Sequence, residues 1–364
     1  MSRPISSLHI IGSRRLGGAE RFFIRLVEAL VARGHPAVAV IRQDSPAAGA
    51  LSPAVEQVHV GMRSKYDLWS AWQLRRLISQ RRPDIVQTYM GRASRLTRLP
   101  GNSGSVHIAR LGGFYGLDHY YRHAHEWVGN THAIVDYLRR EGLPADRVHY
   151  IGNFVPPGRV ADAAEVAALR QRLGLAAPAR VVLAMGRLIE KKGFDDLLDA
   201  WAQLPPHDAE GRPLHLVLAG SGGHSQALAE RVAALNIAAR THLVGWQNDL
   251  ALWYGLGEIF VCPSRQEPLG NVILEAWRYR IPVLSTRNEG ASELVRDGDN
   301  GRLVPLRDPT ALAAGILSLL QAPATERQRL VESGERCLNE EHSEQRVAQA
   351  YIELYEQALL RRQR

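Results

Sequence analysis

An α/β fold built from two successive doubly wound domains is predicted by three observations. Short continuous apolar runs alternate with segments of helical periodicity, the pattern of a parallel sheet covered by helices on both faces. The alternation pauses at a Pro- and Gly-rich stretch near residue 157 and starts again near residue 180. The chain of 364 residues is also longer than one core comfortably serves, so that two domains of about 150 to 200 residues are expected.

The first strand is Ser7-Leu8-His9-Ile10-Ile11, which ends at Gly12. Phe23, Leu26, Val27, Leu30 and Val31 then recur at helical spacing, and the helix stops at Arg33-Gly34, where a glycine suits the position after the last turn. Ala37 to Ile41 is a second buried strand. A polar helix around Trp69 to Gln80 precedes a third strand at Pro83 to Gln87. After the linker Gly152 to Gly158 the pattern resumes with strands at Arg180 to Met185, Leu214 to Ala219, His242 to Val244, Glu258 to Val261 and Pro282 to Ser285. Helices at Phe194 to Trp201 and Gln226 to Leu235 lie between them. The resulting division is 1–157 and 158–342, with a last helix, about 343–364, that either finishes the second domain or crosses back to the first.

Composition excludes several classes. Apolar residues make up 45% and charged residues 23% of the chain, as in folded globular domains and unlike disordered ones. Cys262 and Cys337 stand far apart, with neither metal-ligand spacing nor a CxxC pair, so no disulfide framework or zinc site is expected and a reducing, cytoplasmic compartment is. Met1 to Gly12 lacks the features of a signal peptide, and no run of eighteen apolar residues marks a membrane span. The net charge of +8 is uneven: residues 1–160 carry 22 Lys and Arg against 11 Asp and Glu, and the remainder 23 against 26. The dense stretch Arg75, Arg76, Arg81, Arg82, Arg92, Arg95, Arg98 points to a nucleic acid, an anionic membrane surface or a phosphorylated acceptor, with a solubilising surface as the alternative. No interleaved aromatics and no nucleic-acid motif accompany it, which argues against nucleic acid.

Three features carry chemistry. Gly17-Gly18, between the first strand and first helix, suits the approach of an anion to backbone amides, although glycines there also serve conformation alone. The loop lacks G-x-G-x-x-G spacing, which disfavours a nicotinamide enzyme. Gly186-Arg187-Leu188-Ile189-Glu190-Lys191-Lys192-Gly193 follows a buried strand, where ligands bind in open α/β sheets. Arg187 offers a bidentate fork and Lys192 a point charge to phosphate; a solvated basic loop is the alternative. In Glu267-Pro268-Leu269-Gly270-Asn271-Val272-Ile273-Leu274-Glu275, two carboxylates flank a helix N-terminus. The carboxylates suit sugar and ribose hydroxyls, and the amides of Leu269, Gly270 and Asn271 suit a diphosphate. Together the last two features describe a pocket for a diphosphate flanked by two sugars.

These residues resemble the family-four retaining glycosyltransferases of the GT-B fold, two facing Rossmann-like doubly wound domains. The resemblance also includes Gly220-Ser221-Gly222, Leu243-Val244-Gly245, Cys262-Pro263-Ser264, Glu293-Leu294-Val295 and Asp297 to Gly301, and in the first half Gly17-Gly18-Ala19-Glu20, Gly129-Asn130-Thr131 and Ile151-Gly152-Asn153. It implies that Arg187 and Lys192 hold the donor diphosphate, Glu275 the ribose, Glu267 the transferred sugar, and backbone groups from Val244 to Leu250 the base, with Gly17 near diphosphate and acceptor. It implies no metal and no cofactor. Many members carry a histidine after the strand matching Val106 to Leu111, where this chain reads Gly112-Gly113-Phe114-Tyr115. His119, His123 and Tyr115 are the candidate substitutes, and packing or surface roles are the alternative for each.

The expected function is a retaining, metal-independent, hexosyltransferase-type transfer from a nucleotide diphosphate sugar to a glycan or lipid-linked anionic acceptor. Lipopolysaccharide core or another bacterial surface polysaccharide, made peripherally at the cytoplasmic face of the inner membrane, is the expected setting. A sugar-nucleotide epimerase or phosphorylase of the same fold and a basic nucleic-acid-binding protein are the rival readings.

Overall fold

The computed structural model describes residues 3–101 and 103–363, so Met1 and Arg364, the ends of the expected ranges, lie outside the described residues. The chain forms two compact units, Met1–Pro156 with Glu341–Arg364, and Pro157–Glu340.

In the first unit the strands β1 (Ser7–Ile11), β2 (Ala37–Arg42), β3 (Glu56–Val60), β4 (Ile85–Tyr89), β5 (Val106–Leu111), β6 (Glu126–Gly129) and β7 (Val148–Tyr150) form one parallel sheet in the order β3-β2-β1-β4-β5-β6-β7. The second unit holds β8 (Arg180–Met185), β9 (Leu214–Ala219), β10 (Thr241–Gly245), β11 (Ile259–Cys262), β12 (Val283–Thr286) and β13 (Arg302–Val304), parallel, in the order β10-β9-β8-β11-β12-β13. Each sheet reverses its direction of growth once, between β1 and β4 and between β8 and β11. The loops leaving the carboxyl ends of those strands therefore border the crevice where doubly wound sheets take ligands. Among the described residues no helix is long and apolar enough to cross a membrane. The two cysteines are buried thiols outside any disulfide.

The last helix, Glu344–Gln363, belongs to the first unit. Val347, Ala348, Tyr351, Leu354, Tyr355 and Ala358 form a stripe that packs into the core containing Phe22, Phe23 and Phe154. A chain of buried hydrogen bonds fixes it further. Tyr355 Oη donates to Gln87 Oε1 (2.6 Å), and Gln87 Nε2 donates to Tyr89 Oη (2.6 Å). The Tyr89 proton is thereby left for His9 Nδ1 (2.8 Å), so the neutral ring keeps its proton on Nε2, which donates to Ser7 Oγ (3.0 Å). Every member is buried, and an unpaired member would forfeit about 1–3 kcal/mol. At the helix end, Arg361 Nε reaches Glu126 (3.0 Å) on β6.

The basic helix Leu68–Arg81 differs from its sequence reading. It buries only Ser70, Leu74 and Ile78, leaving Trp69, Trp72, Arg75 and Arg76 on the outside. Residues three and four apart share a helix face, so Trp72 lies beside both Trp69 and Arg76. The chain also brings Arg95, from the helix Met90–Leu96, over Tyr66 at 4.7 Å. Aromatics therefore do accompany the basic stretch; they precede it in sequence and join it in space.

Burial holds His9 down to about 3 and His107 well below its ordinary value, and His123 falls to about 4 for the same reason. The unfolded chain takes up these protons near pH 6.5, whereas the folded chain does not. Stability is thus complete above about pH 6.5 and falls as pH drops, by about 1.4 kcal/mol per pH unit for each buried histidine. Urea unfolding at pH 7.5 and pH 5 should show this loss, and His9→Gln, which can keep the Tyr89 and Ser7 bonds, should lessen the slope by one histidine's share. An unchanged slope would contradict the assignment of a neutral His9.

Candidate functional site

In the second unit the loops leaving β8, β9 and β11 are fastened together. The loop after β8 is backed by that after β9, through Gly186 N to Ala219 O (3.0 Å), Leu188 N to Ser221 O (3.0 Å) and His224 N to Leu188 O (2.9 Å). Gly220 has φ +154°, and a Cβ there would stand 1.8 Å from Gly186 O. The loop after β8 ends in a single helical turn, Glu190–Lys192, whose Lys191 carbonyl accepts from Arg265 N (2.9 Å) and Gln266 N (3.2 Å) of the loop after β11. Gly193, at φ +62°, ends the turn. A Cβ there would lie 2.1 Å from Pro263 O, so only glycine allows the two loops this approach.

The result is an ion pair between Lys192 Nζ and Glu267, two residues 75 positions apart whose side chains are 12% and 16% exposed. Burial alone would lower the Lys192 ammonium, but the adjacent Glu267 carboxylate outweighs it and holds the lysine above its ordinary value, fully charged at neutral pH. Ser264 Oγ also donates to Glu267 (3.5 Å). Cys262, beside the pair, has its thiol pushed up by burial and is no thiolate. Arg187 is exposed and, among the described residues, bonds to no other side chain, and its positive charge repels that of Lys192.

Gly270, in the left-handed region at φ +87°, turns the chain into the helix Asn271–Arg278. No side chain caps this helix, so its positive end faces the same loop as Glu267. Leu269 is buried and packs on Gly290, whose amide donates to Glu267 O (2.8 Å). Glu275 lies on the buried side, 9% exposed, near Tyr254 and Tyr279, whose stacked rings have centroids 4.9 Å apart. Burial, and then the Glu275 charge, raise both phenols. At the end of β10, the Val244 carbonyl is taken by Gln247 Nε2 (2.6 Å), and Leu250 opens the next helix behind Asp249, which pairs with Arg159. Trp246 stands half-exposed there, its Nε1 donating to Asn248 Oδ1 (2.9 Å).

Arg265 escaped the sequence reading. It bonds to Asp196 through Nε (2.8 Å) and Nη2 (2.6 Å), to Asp195 (2.6 Å) and to Glu190 O (3.3 Å). This cation is fully engaged, and its work is to hold the Glu190–Lys192 turn against the loop after β11. Only the Asp195-Asp196 pair opening the helix Phe194–Ala202 signalled it in advance.

In the first unit, Gly17 precedes the helix Gly18–Ala32, and its amide donates to Glu20 Oε2 (2.8 Å). Gly17 thus uses its own N–H for capping, and Gly18 begins the open end of the helix. Of the three candidate substitutes for the missing histidine, His119 sits exposed in a turn at φ +65°. His123 is half-buried and bonds to the Thr97 carbonyl (2.9 Å). Tyr115 folds back so that its hydroxyl lies 3.0 Å from the place a Gly113 Cβ would take, just beyond β5.

Residues 165–336 match the family model described as glycosyl transferases group 1, and residues 16–159 match that of glycosyltransferase family 4. The chain is 34% identical over 340 residues to the lipopolysaccharide core biosynthesis glycosyltransferase LpsE of Rhizobium meliloti (strain 1021), covering 93% of this chain and 95% of the relative. It is 31% identical over 349 residues to LpsD of the same organism, covering 95% and 97%. In fold it is similar to Anabaena Alr3699/HepE in complex with UDP and glucose (TM-score 0.82, 20% identity, 97% of this chain and 100% of that one). It is likewise similar to WaaG, a glycosyltransferase involved in lipopolysaccharide biosynthesis (TM-score 0.72, 18% identity, 96% and 99%).

The contrast between the two arginines is testable by urea unfolding. Arg265→Gln leaves two aspartates without their shared cation and should cost about 2 kcal/mol or more. Arg187→Gln removes no side-chain partner and should change stability by less than about 0.5 kcal/mol. Equal costs would contradict the division between a bracing and an available cation.

Proposed function

Because the chain belongs to the group 1, family 4 glycosyltransferases, we propose that it transfers a hexose from a nucleotide diphosphate sugar to a hydroxyl of a glycan or lipid-linked acceptor, retaining the anomeric configuration and using no metal. The observation that carries this reading is the strap between the loops after β8 and β11, which sets Lys192 against Glu267 beside an uncapped helix N-terminus and an unengaged Arg187.

In the proposed reaction the bond from the anomeric carbon to the diphosphate oxygen breaks and the acceptor oxygen bonds to that carbon from the same face. The electron pair goes to the diphosphate, which takes the acceptor's proton. The charge developing there is met by Arg187, Lys192 and the amides opening the helix Asn271–Arg278, an arrangement of fixed cations and dipoles that replaces a metal ion. Glu267 accepts hydroxyls of the departing sugar while anchoring Lys192, and Glu275 accepts those of the ribose. Backbone groups between Val244 and Leu250 hold the base.

The two Rhizobium relatives, both lipopolysaccharide core biosynthesis glycosyltransferases, favour the lipopolysaccharide core, or a kindred surface polysaccharide, as the product. An anionic acceptor suits the basic first 160 residues, and we place the reaction at the cytoplasmic face of the inner membrane, with the protein bound peripherally. An epimerase or phosphorylase of this fold has no need of such a basic acceptor-binding half.

Thermal unfolding in EDTA with UDP, GDP, ADP and their sugar conjugates tests the donor site. One nucleotide at a hundredfold excess over its Kd should raise Tm by about 5 °C or more, and Lys192→Ala and Glu275→Ala should each abolish the rise. A shift that EDTA removes would overturn the metal-free mechanism. No shift with any nucleotide would overturn the transferase reading.

A further inference from the structure

The segment leaving β3 and the start of the helix Leu68–Arg81 expose four large apolar side chains in a row: Tyr66 (63%), Leu68 (83%), Trp69 (64%) and Trp72 (46%). The two indoles stack, with centroids 4.7 Å apart and planes 18° from parallel. So much contiguous apolar surface, left outside by a helix that already buries a separate stripe, marks a contact with something other than water. Cations surround it. Arg76 lies 5.4 Å from the Trp72 ring, Lys65 lies 5.1 Å and Arg95 4.7 Å from the Tyr66 ring, and Arg63 and Arg75 are exposed alongside.

The acidic side chains nearby are already engaged. Asp67 turns inward to accept from Ser70 N (3.1 Å), Ser70 Oγ (2.8 Å) and Arg63 N (2.9 Å), and Glu56 is paired with Arg81 (2.5 Å). An amphipathic surface of indoles, phenol and leucine edged by cations has the composition that settles at the boundary of an anionic bilayer: the rings enter the headgroup layer and the cations meet phosphates. The indoles stack on each other and Arg76 lies over the Trp72 ring, so the aromatic faces are already partly occupied, which suits insertion as a block more than the successive intercalation of bases or sugars. Leu68, the most exposed of the four, offers nothing to a polynucleotide.

We propose that Tyr66, Leu68, Trp69 and Trp72, with Arg63, Lys65, Arg75 and Arg76, form the face by which the first unit docks on an anionic lipid surface. The proposal takes the membrane setting of the preceding section as its premise and names the residues that achieve it. Docking there has a consequence within this unit. Arg92 Nη1 donates to Gly12 O (2.8 Å) and to Met62 O (3.3 Å), tying the loop that carries the patch to the loop that leads to Gly17 and Gly18. The carboxyl end of the first sheet is thereby held beside the lipid surface, where a lipid-linked acceptor's hydroxyls emerge.

The test is co-sedimentation of the full chain with vesicles of phosphatidylcholine alone or mixed with phosphatidylglycerol, at low and high salt. Binding should require phosphatidylglycerol and weaken with salt. Arg75→Gln/Arg76→Gln should lower the partition coefficient about tenfold or more, at roughly fivefold per charge, while Arg172→Gln in the second unit leaves it unchanged. Trp69→Ala/Trp72→Ala should lower it at least as much with Tm unaltered, since both rings are exposed. Independently of any variant, brominated phosphatidylcholine in the mixed vesicles should quench the wild-type tryptophan fluorescence. Absence of binding, binding indifferent to these variants, absence of quenching, or displacement from vesicles by single-stranded oligonucleotide at low ionic excess would each overturn the docking face. These readouts need neither donor nor turnover: docking without a nucleotide-induced Tm rise would fault the transferase reading alone, and a Tm rise without docking would fault this proposal alone.

Discussion

The approach of Gly193 to the Pro263 carbonyl is the constraint on which the second unit's site depends. Without a side chain at residue 193 the turn Glu190–Lys192 can lie against the loop after β11, and only then do Lys191 O, Arg265 N and Gln266 N meet. Lys192 and Glu267 come together as a consequence. Neither charge would tolerate that degree of burial alone, and each makes the other's possible. A diphosphate sugar entering between them would replace one compensated arrangement with another, phosphate for Lys192 and hydroxyls for Glu267. Arg265, spent on Asp195 and Asp196, keeps the frame in place during the exchange.

The first unit solves a different problem. Its central strands β1 and β4 are buried on both faces, yet they carry polar side chains at His9, Gln87 and Tyr89 in the interior. They are tolerated because Tyr355 from the far end of the chain closes the line of donors and acceptors that Ser7 begins. The last helix thus does more than cover apolar surface: it supplies a proton the core would otherwise lack. Arg110 follows the same logic, lying 3.9 Å from the Phe22 ring with Nε bonded to Tyr351 Oη (3.2 Å).

Much of this was legible in the sequence. Strands such as Arg180–Met185 and Leu214–Ala219, largely buried, announce themselves as short runs that are apolar but for Arg180 and His215. β3 does not, because Glu56-Gln57-Val58-His59-Val60 is an edge strand with a half-exposed, mixed composition. The apolar stripe of the last helix reveals a buried face without saying whose core it enters; its packing on Phe22 and Phe154 and the Tyr355–Gln87 bond answer that. At the site, Gly186 to Gly193 and Glu267 to Glu275 were visible because charge and glycine occur at strand ends. Arg265 was not, since its partners sit 69 and 70 residues away. The aromatic patch was overlooked because Tyr66, Trp69 and Trp72 precede the arginines in sequence, and helix geometry with the Arg95 contact is needed to merge them.

Hydrogen exchange followed by mass spectrometry, with and without the stabilising nucleotide, is the most direct test of the central claim that the loops after β8, β10 and β11 form one donor site. The account predicts protection concentrated in three peptides, covering 186–193, 244–250 and 263–275, with the rest of the second sheet unchanged. Protection in only one of them, or confined to the first unit, would contradict it.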